Sequence, residues 1–317
     1  MGYRRKARLG VKFVIKKERV LVGFREKRNS FIADIAQCAV MHPSVGKKIA
    51  SLAEFITGLK IRDKIPQIEA AVSDDAVALI IRHLVDMPEE DREKWAQYAQ
   101  QNDFMIFLQS GGLDSVVPLL PEQDPEKTQL HYKLPDYNIE MAFQPTQFTQ
   151  VNADINKKMI DLALSYLAPR PEDKIIDFFC GLGNFTLPIA RSGAAVVGVE
   201  GSDELVQLAR HNAKLNEIDN VEFYKSDLFG EFEQSQWARQ KYNKVLLDPP
   251  RSGALNVVQW LPKTGVKKIV YISCNPSTLA RDADVLVNTH GFKLTHTGAM
   301  DMFPHTGHVE AIAVFER

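Results

Sequence analysis

The chain has 317 residues, of which 45% are hydrophobic and 25% are charged, a composition typical of a globular protein with a buried core. No apolar run reaches membrane-spanning length, the N-terminus lacks the apolar segment of a signal peptide, and three scattered cysteines exclude a disulfide framework. We therefore expect a cytoplasmic protein without a membrane partner.

The net charge of −1 conceals a strongly basic first tenth of the chain. Residues 1–30 contain eleven Lys or Arg and two Glu, which gives a charge of +9. Alternation of apolar with basic or polar residues predicts two antiparallel strands at 7–15 and 19–25, with one positive face. Such a face is typical of phosphate binding, and a solvated hairpin without a ligand is an equally good interpretation.

The hairpin belongs to residues 1–145, which we interpret as a small α+β domain with an antiparallel sheet. After the hairpin, the pattern predicts a strand at 31–36, a helix at 44–59, strands at 67–73 and 76–83, a helix at 88–101 and a strand at 104–108. Residues 111–133 are rich in Pro, Gly, Asp and Glu, and they predict a loop region at the edge of this domain.

Residues 146–317 alternate strands with helices, which predicts an α/β domain of the Rossmann-like kind with a doubly wound, mostly parallel sheet. The predicted helices are 153–167, 185–191, 203–215, 255–262 and 277–289. The predicted strands are 174–179, 194–199, 221–224, 244–247 and 267–272, with two closing strands near 292–298 and 309–315. In open α/β sheets, ligands bind beyond the carboxyl ends of the strands, so the residues that follow each strand are candidate site residues.

Cys274 follows the last of these parallel strands, and Asn275-Pro276 then ends the strand before a helical pattern begins. A thiol in this position is a candidate nucleophile. Most free cysteines are small buried hydrophobic residues, so this stretch alone leaves both interpretations open.

Gly181-Leu-Gly183 follows the first parallel strand and is similar to the turn that brings backbone close to a ligand at a helix N-terminus. The third glycine of the dinucleotide fingerprint is replaced by Thr186, which argues against a pyrophosphate. Asn184 is placed to form a hydrogen bond with a ligand.

Two acidic residues end the next strands. Glu200 lies 17 residues beyond Gly183, where an acid typically pairs with ribose hydroxyls. Asp227 could accept a hydrogen bond from an adenine amine, or it could be an exposed loop residue. A nucleoside cofactor without a pyrophosphate is the simplest interpretation, and S-adenosylmethionine fits it.

Asp248-Pro-Pro-Arg251 closes the fourth parallel strand with a loop that two prolines stiffen. Enzymes that methylate amines have a similar motif followed by an aromatic residue, and here that position is Arg251. RNA cytosine-5 methyltransferases carry a cysteine in this loop, which this chain lacks.

Four linked motifs together resemble the RNA uracil-5 methyltransferases, most closely the bacterial 23S rRNA type, over the whole chain. The motifs are Asp177-x-Phe-Cys-Gly-x-Gly-Asn-Phe-Thr-x-Pro188, Leu247-Asp-Pro-Pro-Arg251, Ser273-Cys-Asn-Pro-x-Thr-Leu-Ala-Arg-Asp282 and Asp301-Met-Phe-Pro-His-Thr-Gly-His-Val-Glu310.

The resemblance implies that Cys274 is the nucleophile and that Glu310 is the base that removes the C5 proton. It also implies an S-adenosylmethionine site lined by Gln150, Phe179, Gly181, Gly183, Asn184, Glu200, Asp227 and Asp248. We expect a monomer whose partner is 23S rRNA, contacted by the first domain. His305 and His308 are rival bases, although their spacing is more typical of a turn. We expect Cys180 to be a packing residue.

The chemistry agrees with these residues. Uracil C5 is a poor nucleophile until a thiolate adds to C6, and a carboxylate must later remove the C5 proton. The base must also be flipped out of folded RNA to reach the thiol. Two other classes remain open, a methyltransferase for small molecules or exocyclic amines that does not need Cys274, and an RNA-binding module without activity.

Longer members of this family begin with a small RNA-binding β-barrel, the TRAM domain, followed by cysteines that bind a [4Fe-4S] cluster. We expect this chain to lack both. Cys38 matches the last cluster ligand, but its three partner cysteines are missing, and a cluster needs about four. The resemblance therefore implies no cluster in this chain.

Overall fold

The computed structural model describes residues 1–120 and 128–317. It contains two compact units, the first formed by Met1–Tyr132 with Ala142–Ala153, and the second by Lys133–Met141 with Asp154–Arg317. Within the described residues, no helix has the length and apolar character needed to cross a membrane.

The first unit is built on a six-stranded sheet. Its strands are β1 (Lys6–Val14), β2 (Arg19–Gly23), β3 (Gln67–Val72), β4 (Val77–Arg82), β5 (Phe104–Gln109) and β6 (Val116–Pro118). Their order is β2-β1-β3-β4-β5-β6. The pairs are antiparallel, as predicted, except for β4 and β5, which are parallel. A helix joins that parallel pair, because a parallel connection needs a crossover.

The helices of the first unit are α1 (Pro43–Gly46), α2 (Ile49–Thr57) and α3 (Glu89–Asn102). The predicted single helix at 44–59 is wrong, since it is broken between α1 and α2. At the break, the Gly46 carbonyl accepts a hydrogen bond from the Cys38 amide at 2.9 Å, and the Ala50 amide, which would continue the helix by donating to Gly46, donates to the Ala36 carbonyl at 3.0 Å. His42 is the N-cap residue of α1.

The predicted hairpin at the N-terminus is confirmed by the five-residue register between β1 and β2. The predicted strand at 31–36 is wrong, because only one isolated bridge joins Ile32 to Arg25. The Asn29 side chain accepts from the Phe31 amide at 2.7 Å, which favours a turn. Of the predicted loop at 111–133, residues 121–127 lie outside the described residues, and β6 occupies part of the remainder.

The second unit carries a seven-stranded sheet. Its strands are β9 (Lys174–Phe178), β10 (Ala195–Glu200), β11 (Val221–Lys225), β12 (Lys244–Leu247), β13 (Lys268–Ser273), β14 (Lys293–Met300) and β15 (Glu310–Glu316). A separate two-stranded sheet joins β7 (Leu130–Leu134) to β8 (Ile139–Phe143).

The seven-stranded order is β11-β10-β9-β12-β13-β15-β14. The first five strands of this order are parallel, and β15 is antiparallel to both of its neighbours. The helices are α4 (Ala153–Leu167), α5 (Thr186–Ala190), α6 (Asp203–Leu215), α7 (Leu255–Trp260) and α8 (Pro276–Asp284). The predicted doubly wound, mostly parallel sheet is confirmed.

Because of this topology, the ends of several strands lie at the same edge of the sheet. The carboxyl ends of β9, β10, β11, β12 and β13 meet there because these strands are parallel. Since β15 runs in the opposite direction, its first residue, Glu310, lies at the same edge. Ser273 pairs with Ala311, so Cys274 and Glu310 are the next residues outward on adjacent strands.

Candidate active site

Cys274 lies between the end of β13 and the beginning of α8 and is half-buried. Asn275 is the N-cap of α8, and its side chain accepts a hydrogen bond from the Ser277 amide at 3.2 Å. Burial raises the pKa of Cys274, and the nearby carboxylates of Glu310 and Asp248 add to this, whereas Arg251 opposes it. The thiol form therefore predominates at neutral pH in the absence of ligands.

Glu310 is 5% exposed at the beginning of β15. Burial raises its pKa, and the guanidinium of Arg251 acts in the opposite direction. A buried carboxyl with a raised pKa is better suited to accept a proton than an ordinary exposed glutamate. The structure therefore places a candidate nucleophile and a candidate base on neighbouring strands.

Two further carboxyls lie at this edge. Asp248 follows β12, and burial together with Glu310 and Asp177 raises its pKa to about 8. Asp177 is fully buried within β9, and burial raises its pKa to about 7. The Thr186 hydroxyl donates to Asp177 Oδ2 at 2.5 Å, whereas Asp177 Oδ1 is buried without a hydrogen-bond partner among the described residues. These carboxyl groups at the edge of the sheet favour the binding of a positively charged ligand.

The turn after β9 leaves room for a ligand. Phe179 has a φ of 61°, which is unusual for a residue other than glycine, and its amide donates to the Val199 carbonyl at 2.9 Å. Gly181 has a φ of 55°, and nothing lies within 4 Å of where its Cβ would be. The open turn at Gly181 allows the close approach of a ligand such as S-adenosylmethionine, and the unpaired oxygen of Asp177 lies four residues before it in the chain.

Glu200 supports this turn from β10. Its Oε2 accepts from the Gly181 amide at 3.1 Å, and its Oε1 accepts from the amides of Gly201 at 2.8 Å and Ser202 at 3.1 Å. A carboxylate has about four lone-pair sites, so one further acceptor position is available for a ligand hydroxyl. The predicted ribose contact stays a prediction.

Asn184 forms a reciprocal amide pair that the sequence did not predict. Its Nδ2 donates to Asn156 Oδ1 at 2.9 Å, and Asn156 Nδ2 donates to Asn184 Oδ1 at 3.0 Å. Asn156 lies on α4, and only its spacing on the buried face of that helix could have signalled it. Asn184 is therefore positioned through α4 as well as through the glycine turn.

Asp227 is exposed just beyond β11, and its Oδ1 accepts from the Phe229 amide at 2.9 Å. The Phe229 ring is 50% exposed, and its centroid lies 5.7 Å from that of Phe179. These two rings and the Asp227 carboxylate form a partly apolar surface with a hydrogen-bond acceptor. The sequence analysis did not predict Phe229. The pattern that could have identified it is an aromatic residue two positions after Asp227.

The remaining candidates in the second unit have other environments. Cys180 is 5% exposed, and burial raises its pKa, in agreement with a packing role. His305 and His308 are both exposed, and His308 Nδ1 lies 3.3 Å from a guanidinium nitrogen of Arg251. Gly183 has a φ of 99°, so glycine is needed there for the turn.

Two predicted residues belong to the first unit. Cys38 is half-buried, and the described residues contain no group of three or more side chains that could hold a metal ion. A single cysteine does not fit a [4Fe-4S] cluster, so no step is assigned to one. Gln150 is half-buried near the end of this unit.

Comparisons with known proteins agree over most of the chain. A family profile described as tRNA (uracil-5-)-methyltransferase matches residues 44–317. The 23S rRNA (uracil(1939)-C(5))-methyltransferase RlmD of Xanthomonas axonopodis pv. citri is 52% identical over 316 residues, which cover 100% of this chain and 70% of the relative. RlmD of Stenotrophomonas maltophilia strain R551-3 is 50% identical, with the same coverage.

A solved structure is also similar. It is the tRNA (uracil-54, C5)-methyltransferase of Pyrococcus abyssi in complex with S-adenosyl-L-homocysteine. Its TM-score is 0.78 at 25% sequence identity, with coverage of 99% of this chain and 76% of that chain. The similarity thus extends over both compact units.

Proposed function

Because the chain belongs to the family of S-adenosylmethionine-dependent RNA uracil-5 methyltransferases, we propose that it methylates C5 of a uridine in 23S rRNA through a covalent Cys274 adduct. The observation that carries the mechanism is the register between β13 and β15, which pairs Ser273 with Ala311 and so brings Cys274 next to Glu310. The RNA substrate is inferred from relatives that are 50% and 52% identical.

Cys274 begins the reaction by adding its sulfur to C6 of the uracil ring, which turns C5 into a nucleophilic enolate carbon. Because its pKa is raised, the thiol must release its proton to solvent as the substrate binds. The amino end of α8 and the guanidinium of Arg251 both favour the thiolate.

S-adenosylmethionine, when bound, supplies an electrophilic methyl group on a positively charged sulfur, and this methyl group passes to C5. The residues of the second unit proposed to hold it are Phe179, Gly181, Gly183, Asn184, Glu200, Asp227 and Asp248. The open turn at Gly181 and the unpaired oxygen of Asp177 support this placement.

Glu310 completes the reaction by removing the C5 proton, after which the bond between C6 and sulfur breaks and the thiolate leaves. Its burial favours a role as proton acceptor, because the protonated, neutral carboxyl is stable there. The exposed His305 and His308 lack this environment. Glu310 is thus the better candidate for the base.

We propose that the basic hairpin of the first unit contributes to RNA binding. Four cations of residues 1–30 already form ion pairs, Arg5 with Asp74, Arg8 with Glu69, and Lys17 and Arg19 with Asp34. The exposed cations of residues 1–30 that have no ion pair among the described residues are Lys12, Lys16, Arg25, Lys27 and Arg28. These five are better candidates for phosphate contacts than the paired arginines.

The test uses RNA in which the target uridine is replaced by 5-fluorouridine. Fluorine at C5 cannot be removed as a proton, so a covalent mechanism leaves the protein bonded to RNA after methyl transfer. We expect a denaturant-resistant complex that requires S-adenosylmethionine and is absent in Cys274→Ala. Cys38→Ala is the matched control and should form the complex normally. Complex formation by Cys274→Ala would contradict the proposal.

A further inference from the structure

Asp282 is a fully buried carboxylate on α8 to which the reaction assigns no role. Its Oδ2 accepts from the Tyr271 hydroxyl at 2.6 Å and from the Ala254 amide at 2.7 Å. Its Oδ1 accepts from Nε and Nη2 of Arg281 at 2.9 and 2.7 Å. Asp282 therefore joins β13, α8 and the end of the loop that begins at Asp248.

Other side chains of α8 hold the middle of the same loop. Arg281 Nη2 donates to the Ser252 carbonyl at 2.9 Å. The Arg251 carbonyl accepts from Asn275 Nδ2 at 2.9 Å and from the Thr278 hydroxyl at 3.2 Å. The backbone on both sides of Gly253 is thus fixed to the helix that follows Cys274.

Gly253 shows how closely the loop approaches α8. It has a φ of 79°, and a Cβ at this position would lie 2.6 Å from Arg281 Nη2 and 2.7 Å from Asp282 Oδ2. Any side chain here would push the loop away from the helix. The close approach therefore depends on glycine at position 253 and on Arg281 and Asp282 of α8.

The loop matters because of the residue it carries. The positive charge of Arg251 acts on both Cys274 and Glu310, lowering the pKa of each against the effect of burial. The groups that face Cys274 are Glu310 on β15, Asp248 after β12, and Arg251 in this loop. Arg251 alone among these three favours the thiolate.

We propose that Asp282 is a positioning residue that fixes the loop Asp248–Ala254 to α8 and thereby keeps Arg251, whose carbonyl accepts from the Asn275 side chain, next to Cys274. The inference deepens the proposed function, because it bears on catalysis only if Cys274 is the nucleophile. Breaking the network would let Arg251 move away and would leave the two carboxylates unopposed at the sulfur.

The test is the pH profile of thiol alkylation, which needs neither RNA nor S-adenosylmethionine. The full-length chain is treated with iodoacetamide at a series of pH values, and alkylation of the peptide that contains Cys274 is quantified by mass spectrometry. The variants are Asp282→Asn, Arg251→Gln and their combination. Asp284→Asn is the matched control, since it makes the same change on an exposed residue of the same helix.

We expect Asp282→Asn and Arg251→Gln each to move the midpoint of the pH profile of Cys274 alkylation to higher pH. Because each variant loses the nearby positive charge, alkylation near pH 8 should slow by about threefold to tenfold. The combined variant should match Arg251→Gln alone, because both changes remove the same interaction. Asp284→Asn should match the unaltered protein. If Asp282→Asn loosened the site without moving the Arg251 charge, the alkylation of Cys274 would instead become faster at high pH, where the thiol is fully ionised.

A midpoint unchanged in Asp282→Asn, or shifts that add in the combined variant, would overturn the proposal. If Asp282→Asn does not fold, Gly253→Ala separates the same loop from α8 and should give the same shift, and a folded Gly253→Ala with an unaltered profile would also overturn it. If the covalent RNA complex does not form but the midpoint of the alkylation profile still shifts, Cys274 is not the nucleophile. The positioning of Arg251 by Asp282 would then still stand.

Discussion

Replacing Glu310 with Gln should stop the reaction after methyl transfer and leave the methylated uracil bonded to Cys274. Glutamine keeps the size and hydrogen-bonding shape of the side chain but cannot accept the C5 proton. Removal of a general base typically lowers the rate about a hundredfold to ten-thousandfold. This corresponds to about 3–5.5 kcal/mol in the barrier of the elimination step.

The structure makes the trapped species more favourable still. The charge of Glu310 raises the pKa of Cys274, so its removal lowers that pKa and increases the thiolate population. The first addition should therefore proceed at least as fast as in the unaltered protein, while the last step is blocked. Because Glu310 is a buried acid with a raised pKa, a neutral substitute should also leave the melting temperature unchanged or higher.

The assay is denaturing electrophoresis of protein with 23S rRNA fragments and S-adenosylmethionine. With Glu310→Gln, a band resistant to denaturant should accumulate only when both RNA and S-adenosylmethionine are present. The band should be absent from the double variant Glu310→Gln, Cys274→Ala. His305→Ala and His308→Ala are the controls and should turn over. Normal turnover by Glu310→Gln, or trapping by either histidine variant, would show that the base is assigned to the wrong residue.

Three further outcomes follow from the contacts around the site. Glu200→Ala should weaken S-adenosylmethionine binding by about 1.5–3 kcal/mol in calorimetry, and unchanged affinity would place the ribose elsewhere. Asn156→Ala removes a partner of Asn184 and should weaken the same binding by about 1 kcal/mol, whereas unaltered affinity would make the pair purely structural. Lys12→Gln and Lys16→Gln should each reduce the salt dependence of RNA binding by about one phosphate contact, whereas Lys17→Gln, which loses a cation paired with Asp34, should change it less.

The parts of the fold that the sequence predicted well have strong local signals. Helices α4 and α6 begin and end at the predicted residues, since both have regular apolar spacing, and Ser202 caps α6 through the Leu205 amide at 3.4 Å. The parallel strands end within one residue of their predicted positions, and in β10, β12 and β13 a polar residue marks the end of the apolar run.

The predicted helix at 44–59 failed because of a contact with a residue outside the helix. The break between α1 and α2 follows from the approach of Gly46 to Cys38, which no local pattern reveals. The same holds for the site. Glu310 became a candidate base through resemblance, whereas its position beside Cys274 follows from the antiparallel insertion of β15 between β13 and β14.

The raised pKa values of Asp248 and Asp177 also predict how the folding stability of the protein depends on pH. The pKa of Asp248 is raised to about 8 and that of Asp177 to about 7, so in the free protein these groups hold protons that the unfolded chain would already have lost near pH 4. Folding stability should therefore fall as the pH rises from about 4 towards 8, because the folded state binds more protons in that window.

S-adenosylmethionine carries a positive sulfur, whereas the sulfur of S-adenosylhomocysteine is neutral, and otherwise the two molecules share the same charged groups. A positive charge near Asp248 favours its ionised form, so binding of S-adenosylmethionine should release a proton and strengthen by up to about tenfold per pH unit between pH 6 and 8. Binding of S-adenosylhomocysteine should change less. Calorimetry in buffers of different ionisation enthalpy measures the released proton directly, and Asp248→Asn should lessen it. Equal proton release with both ligands would mean that the sulfur does not lie near these carboxylates.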